Sequence, residues 1–511
     1  MKTRRFSCFL LALLLLQLPI FAQVDVEKLD AYIAKARDDW QVPGMAIAIV
    51  KDDRVVFAKG YGVRELGKPD KVDENTLFAI ASNTKAFTAA ALAILVDERK
   101  LSWDDRVQAY LPYFELYDPY VSHDFRIRDL LCHRSGLRTF GGDLIWYGTP
   151  YSREEVVRRA RFLKQAYPFR SGYGYSNIMF IAAGEIVAKA SGLNWEDFIR
   201  ERFLIPLGMK RTVLSVKELA GEDNVATPHA DPGGELRTFP WRDWHNTVPA
   251  GGIISSVADL AQWLRLQLGR GTFEGKTVFS ERQSRLMWTP HVSFVPSRSS
   301  EERNPYVRLS GYGLGWQLCA YRGVMMAHHG GAYDGMVSHT AILPDQQAGV
   351  VVLTNSTTGL ADALVYKVLD AYLGSDDRDW STEELKRARE DKRRKIEDQS
   401  RADTQRVLNT KPSLPLSNYV GTYGGPMYGD AEVKMENGNL VVVFLPNPEL
   451  TGDLNHWHFD TFEVKWRTAF PWFGRGKVQF LLDNRGQVVE MKIDVPNEDF
   501  WFDELEFKKK R

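Results

Sequence analysis

The run Ala81-Ser82-Asn83-Thr84-Lys85-Ala86-Phe87-Thr88-Ala89-Ala90-Ala91-Leu92-Ala93-Ile94-Leu95 is the stretch around which the rest of the chain has to be arranged. Ala and Leu are strong helix formers, nothing in the run breaks a helix, and its small side chains admit close neighbours, so it reads as a buried helix. Ser82 stands at its start and Lys85 one turn on, which puts hydroxyl and amine on one face. A helix start favours negative charge on the serine oxygen, and apolar surroundings turn a lysine toward its neutral amine. A hydroxyl beside a proton-accepting amine is an activated nucleophile. On the tetrad alone an ordinary N-cap serine is the favoured reading, but a lysine inside an apolar helix is costly and therefore points to use.

The amino terminus is basic through Arg5, then apolar from Phe6 to Phe21, and closes on Ala22. This predicts a signal peptide over residues 1–22 and an exported mature chain without stable membrane insertion, because no later apolar run is long enough to span a bilayer. Cys8 falls in the apolar run; Cys132 and Cys319 are too few for a disulfide framework and read as two buried thiols. The 66 basic and 66 acidic side chains cancel, so no net field draws the chain to nucleic acid.

After a helix over 25–40, the runs 44–50 and 54–62 flank the polar turn Lys51-Asp52-Asp53 and predict a hairpin. Strand-like runs return at 313–320, 324–329, 337–343 and 349–354, followed by a helix over 358–373. Strands at both ends with helices between predict one antiparallel sheet built from the two ends, around a mainly helical insert over 101–286. The insert holds helical segments at 153–165, 178–190, 195–203 and 256–268. It also holds the small-residue loop Ser171-Gly172-Tyr173-Gly174-Tyr175-Ser176-Asn177, where the Tyr175 hydroxyl and the Asn177 amide either enter one cleft or cap a surface turn. Ala327-His328-His329-Gly330-Gly331-Ala332 is read as a strand end whose glycines let a ligand lie close and whose N–H groups hold an oxyanion.

From Ser381 to Gln405 the chain is dense in charge and reads as a solvated helix or linker. Short strands follow at 419–423, 431–435, 440–444, 462–466, 477–482, 488–495 and 504–508, with hairpin turns at Asn437-Gly438 and Asn484-Arg485-Gly486. A closed antiparallel barrel of about eight strands removes the edges of such a meander. Trp457, Trp466, Trp472 and Trp501 either line a ligand cavity or fill the barrel.

Several motifs fail. Gly271 to Thr277 lacks the first glycine of a phosphate loop, where Arg270 stands, and Lys276-Thr277-Val278 lacks the glycine of Lys-Thr-Gly. No zinc-peptidase, zinc-ribbon or nucleophile-elbow pattern occurs.

Ser82-Asn83-Thr84-Lys85, Tyr175-Ser176-Asn177 and His329-Gly330-Gly331, in that order, resemble the serine β-lactamase and penicillin-binding-protein superfamily. The supporting phrases, Asp129 to Leu137, Pro206 to Met209, Ala250 to Ser256 and Gly311 to Trp316, are most similar to the class C-related branch of esterases, D-aminopeptidases and other amide hydrolases. The resemblance covers residues 25–373 and implies an α+β fold: an antiparallel sheet flanked by helices, plus a helical subdomain. It implies Ser82 as acylated nucleophile, Lys85 as base, Tyr175 as proton shuttle, Asn177 as a contact to the substrate amide, and an oxyanion hole from the N–H groups of Ser82 and Ala332. It implies neither metal nor organic cofactor. Where relatives carry Lys-Thr-Gly this chain has His329-Gly330-Gly331, a poorer anchor for a substrate carboxylate. The last hundred residues are similar to lipocalin-like domains that shape an active-site entrance or support homo-oligomers.

The expected organisation is a signal peptide (1–22), a hydrolase domain (23–374), a charged helical linker (375–411) and a barrel (412–511). The expected activity is hydrolysis of a small-molecule or short-peptide amide or ester through a Ser82 acyl-enzyme. A β-lactamase or D-Ala-D-Ala carboxypeptidase is one alternative, and a penicillin-sensing or ligand-binding protein without turnover is another.

Overall fold

The structure, a computed structural model, describes residues 24–375 and 377–510. The expected signal peptide and Cys8 lie outside the described residues. Helix α1 (Val26–Asp39) leads to β1 (Gly44–Lys51) and β2 (Arg54–Gly62), whose turn residues Asp52 and Asp53 both take positive φ, as a two-residue hairpin requires. The longest helices between the hairpin and the later strands are α2 (Thr84–Asp97), just before the insert, and α3 (Asn177–Ser191) and α4 (Val257–Leu268) within it. Then come β3 (Val292–Ser293), β4 (Val307–Tyr312), β5 (Gln317–Tyr321), β6 (Val324–Tyr333), β7 (Met336–Leu343), β8 (Ala348–Thr354) and α5 (Leu360–Tyr372).

These strands form one antiparallel sheet in the order β2-β1-β8-β7-β6-β5-β4-β3, so the first strand made lies against the last, with Met45 opposite Thr354. Side chains of β1 alternate between two cores. Ala46, Ala48 and Val50 face α2 and the insert, whereas Met45, Ile47 and Ile49 face α1 and α5. Each fully buried aliphatic side chain contributes about 1.5–3 kcal/mol of transfer free energy, which explains why β1 and β8 read as continuous apolar runs.

Two strand expectations are corrected. The run 313–320 is a strand only from Gln317 onward, because Gly313 to Trp316 closes a turn in which Gly313 N–H bonds Trp316 O at 2.8 Å and Gly315 takes φ +77°. His329 is not at a strand end: β6 continues through the glycines to Tyr333, paired with β7 from Ala327 to Tyr333.

Helix α6 (Trp380–Thr404) carries the charged segment, yet its first turn is buried, with the Trp380 indole donating to Asp370 Oδ2 at 2.8 Å. Eight strands then close a barrel: β9 (Gly421–Gly425), β10 (Gly429–Glu436), β11 (Asn439–Phe444), β12 (Thr451–His458), β13 (Thr461–Trp466), β14 (Gly476–Leu482), β15 (Val488–Asp494) and β16 (Phe507–Lys509). Strand β12 has no counterpart in the sequence reading. Its Gly, Asp, Asn and His residues are poor strand formers, and pairing with β11 and β13 on its two sides decides its conformation.

The barrel is docked on the insert. Arg138 stacks on Trp501 at 3.9 Å and pairs with Asp503 and Glu504 at 2.7 and 3.0 Å, and the Trp501 indole donates to Thr139 O at 2.7 Å. Of the four barrel tryptophans weighed as lining or filling, Trp466 packs among Phe444, Phe470 and Phe502, while Trp472 and Trp501 reach across to the insert.

Candidate active site

Ser82 sits in the 3-10 turn Ala81–Asn83 that precedes α2, with Ala81 at φ +46°. An alanine there is strained by about 1 kcal/mol, and the surroundings hold it. Ser338 Oγ on β7 donates to Ile80 O at 2.7 Å and accepts from Asn83 Nδ2 at 2.8 Å. From the other side β6 presses close: a Cβ on Gly331 would stand 2.4 Å from Ile80 O and 3.0 Å from Ser82 N. Glycine at 331 is thus required by approach. At Gly330 a Cβ would meet nothing within 4 Å.

Lys85 is fully buried, and its Nζ has three neighbours: Ser82 Oγ at 3.0 Å, Asn177 Oδ1 at 2.7 Å and Ala250 O at 2.8 Å. Burial pushes its pKa down from the ordinary lysine range to about 7, against the opposing charge of Asp143. The amide and carbonyl oxygens can only accept, so a neutral amine gives them its two N–H groups and turns its lone pair to the Ser82 hydroxyl. The tail of the Lys85 site is aromatic, with Nζ 4.7 Å from the Tyr175 ring centre and 5.3 Å from that of Phe180.

Tyr175 stands beside Ser82, and burial holds its phenol well above the ordinary tyrosine range against the opposing influence of the Ser82 hydroxyl. It is therefore a proton donor, not a phenolate. Its ring stacks on His133 at 4.1 Å and meets Phe140 edge-on at 5.2 Å. Asn177 opens α3, and both ends of its amide are engaged: Oδ1 accepts from Lys85, and Nδ2 donates to Asp143 Oδ2 at 2.6 Å.

His329 lies across the cleft, 2 % exposed, its Nε2 2.8 Å from the Tyr312 hydroxyl and its Nδ1 bonded to Gly330 O. Burial, with the Lys85 charge, pushes its pKa down to about 3, so the ring is neutral, donating through Nδ1 and accepting at Nε2. Ala332 lines the same cavity as Ser82. In an antiparallel ladder alternate N–H groups point away from the partner. Counting back from the two-residue turn after Tyr333, the Ala332 N–H faces the edge that β5 leaves free beyond the Gln317–His328 pair. Ser82, Lys85, Tyr175, Asn177, His329, Gly330, Gly331 and Ala332 are thus gathered on one cleft.

Asp143, Asp334, Asp499 and Phe500 were not legible in the sequence, whereas Trp472 was among the tryptophans weighed as lining a cavity. Asp143 follows Gly142, which takes φ +79°, and burial pushes its carboxyl up to about 8, opposed by Trp146, Asn177 and Lys85. Asp334, 1 % exposed, accepts from Tyr147 Oη at 2.6 Å, from the Trp244 indole at 3.0 Å and, from the barrel, the Trp472 indole at 3.0 Å. Trp472, Asp499 and Phe500 bring the barrel into the wall of the cavity, whose volume is about 690 Å³. Cys132 and Cys319 are buried free thiols. Among the described residues no cluster of His, Cys, Asp and Glu is arranged to hold a metal ion, and no helix is long and apolar enough to cross a membrane.

A family model described as Beta-lactamase matches residues 29–373, and one described as a domain of unknown function, DUF3471, matches 405–509. The chain is similar to a protein named Unguisins hydrolase ungD from Aspergillus violaceofuscus, 30 % identical over 434 residues, 78 % of this chain and 74 % of that one. It is also similar to Protein flp from Staphylococcus aureus, 26 % identical over 347 residues, 66 % of this chain and 65 % of that one. Among solved structures, the octameric penicillin-binding protein homologue from Pyrococcus abyssi shares the fold with a TM-score of 0.63 at 24 % identity, covering 95 % of this chain and 100 % of that one. SurE with D-Leu does so with a TM-score of 0.53 at 19 % identity, covering 94 % and 99 %.

Proposed function

From the premise that the chain belongs to the beta-lactamase family, as a serine hydrolase of that family, we propose that it cleaves small amide, peptide or ester substrates through an acyl-enzyme on Ser82. The observation that carries this is the contact between Lys85 Nζ and Ser82 Oγ at 3.0 Å, with the other donors of the amine spent on Asn177 and Ala250.

Neutral Lys85 takes the Ser82 proton as Oγ bonds to the substrate carbonyl carbon. The carbonyl oxygen gains the electron pair and is held by the N–H groups of Ser82 and Ala332. As the tetrahedral centre collapses, the leaving group departs with the Tyr175 proton, which Lys85 restores. Water then attacks the ester carbonyl, its proton passing back through the same pair, and the acid leaves with Ser82 regenerated. Asn177 holds Lys85 in place, and Gly331 lets β6 close on the nucleophile.

That no free cation stands beside Ser82 among the described residues supports substrates without a terminal carboxylate over β-lactams or D-Ala-D-Ala peptides. His329 is neutral, and the other ionisable groups the cavity wall brings near Ser82, Asp143 and Asp499, are carboxyl groups that offer a substrate carboxylate no counter-charge. Relatives named as hydrolases support turnover over ligand sensing. The same reading has the chain exported on residues 1–22, with the barrel as a separate domain after the charged helix. The test is steady-state hydrolysis of a panel of aryl esters, D- and L-amino-acid amides, short peptides and a chromogenic cephalosporin, by wild type and Ser82→Ala. Loss of about a thousandfold or more in the variant is expected; activity retained by the variant removes Ser82 from the mechanism.

A further inference from the structure

The cavity does not end on the face of the sheet that carries Ser82. Along β6 and β7, His328 and His339 point to the other face, the one on which Met326 and Ala341 pack against α5. Both histidines nevertheless line the same cavity as Ser82, together with Gln317, Asp362, Tyr366 and Asn304. The two parts meet at Gly330. Strand β5 ends opposite His328, so β6 has a free edge beyond it, and Gly330 presents no side chain to fill the gap.

The rear part is polar and ordered. Asp362 Oδ1 accepts from His339 Nδ1 at 2.5 Å, and His339 Nε2 lies 3.2 Å from His328 Nδ1. With His339 donating to the carboxylate, its Nε2 accepts from His328, and His328 Nε2 is left as a bare acceptor. Burial, with His339 and His329 nearby, keeps His328 neutral, its pKa near about 3. Asp362 keeps 48 % of its side-chain surface accessible, and among the described residues its Oδ2 has no hydrogen-bond partner. The cation of this chamber, Arg303, is held on Glu384 at 2.6 Å through Nη2 and 3.0 Å through Nε. Gln317, Asn304 and Tyr366 also bring donors to the chamber, but its open charged atom is the Asp362 carboxylate oxygen, beside the bare nitrogen of His328, and that pair suits a donor that carries positive charge.

We propose that this rear chamber is a second subsite that takes a substrate arm ending in a protonated amine, which passes Gly330 and is held by Asp362 and His328. From Gly330 the carboxylate is reached across one cross-strand pair, about 5 Å, and one imidazole, a span that suits an arm like a lysine side chain. The inference deepens the hydrolase reading and rests on it, but it is tested by binding.

The probes are N-acetylcadaverine and its neutral counterpart N-pentylacetamide, titrated by calorimetry or ligand-observed NMR into the full chain carrying Ser82→Ala, so that no turnover is needed. The amine is expected to bind about tenfold more tightly than the neutral probe. Asp362→Asn is expected to erase the difference, and so is Gly330→Val, which plugs the passage without touching the carboxylate. Equal binding of the two probes, no binding of either, or a preference that survives both substitutions overturns the proposal. Loss of the preference in Asp499→Asn but not in Asp362→Asn also overturns it, because the amine would then sit beside Ser82. Failure of the serine mechanism shows separately, as activity that survives Ser82→Ala.

Discussion

Lys85 Nζ and Asn177 Oδ1 lie 2.7 Å apart, and the far side of the same amide holds Asp143 at 2.6 Å, so a carboxylate acts on the base through one intervening side chain. A negative charge moved next to Lys85 favours its ammonium form. Asn177→Asp is therefore expected to raise the Lys85 pKa from about 7, shift the acid limb of kcat/KM to higher pH, and cut the rate at neutral pH by at least about tenfold. A pH profile reads both effects.

In the wild type the working form of Lys85 is the free base. kcat/KM is expected to rise with pH through a midpoint near about 7 and to be carried by one ionisation on that side. A flat profile from pH 5 to 9, roughly, would mean that another group takes the Ser82 proton.

Asp143→Asn keeps an acceptor for Asn177 but removes the ionisable carboxyl that favours the ammonium form of Lys85, so the acid limb is expected to move downward. Its effect on stability has an opposite sign from that of Lys85. Asp143, raised from 3.8 to about 8, binds more protons folded than unfolded, so its contribution falls as pH rises through that window. Lys85, lowered from 10.5 to about 7, binds fewer protons folded, so its contribution rises with pH between those values. Thermal unfolding of Asp143→Asn is expected to lose less stability than wild type between about pH 5 and 8.

Gly331→Ala is expected to lower kcat/KM by about a hundredfold, because its Cβ meets Ile80 O at 2.4 Å and Ser82 N at 3.0 Å and pushes β6 off the nucleophile. Gly330→Ala, whose Cβ meets nothing within 4 Å, is expected to cost less than about tenfold. Equal losses would show that the glycines serve the backbone and not the approach.

Asp334→Leu leaves Tyr147, Trp244 and Trp472 without their acceptor and Arg242 with Glu449, at 2.7 Å, as its remaining counter-charge. A loss of about 3 kcal/mol or more is expected, read by calorimetry. Trp472→Phe, which removes one hydrogen bond to Asp334, is expected to cost about 1 kcal/mol and to alter the order of preferred substrates by loosening the barrel wall.

The ends-together sheet, the helical insert and the closed barrel were legible because each rests on local signals: the apolar runs of β1 and β8, the period of α3 and α4, the turns at Asn437 and Asn484. Ser82 and Lys85 announced themselves through one lysine in an apolar helix. Strand β12 was hidden because its pairing partners, not its residues, hold it extended. Asp143, Asp334 and Asp499 were hidden for a related reason. A carboxylate in a loop carries no periodicity, and what makes these three matter is burial supplied by residues from other parts of the chain. The extent of the strand through His329 was missed because two glycines imitate a strand end, whereas here they are needed for contact with Ile80 and for space at the edge.

The pairing of Met45 with Thr354 also sets an order of events during synthesis. Strand β1, made early, has one edge without its partner until β8 has emerged, while the hairpin with β2 pairs the other edge and α1 packs on one face. A nascent chain of this design therefore carries an unpaired apolar strand edge until residues 348–354 have been made, and the sheet closes late in its synthesis.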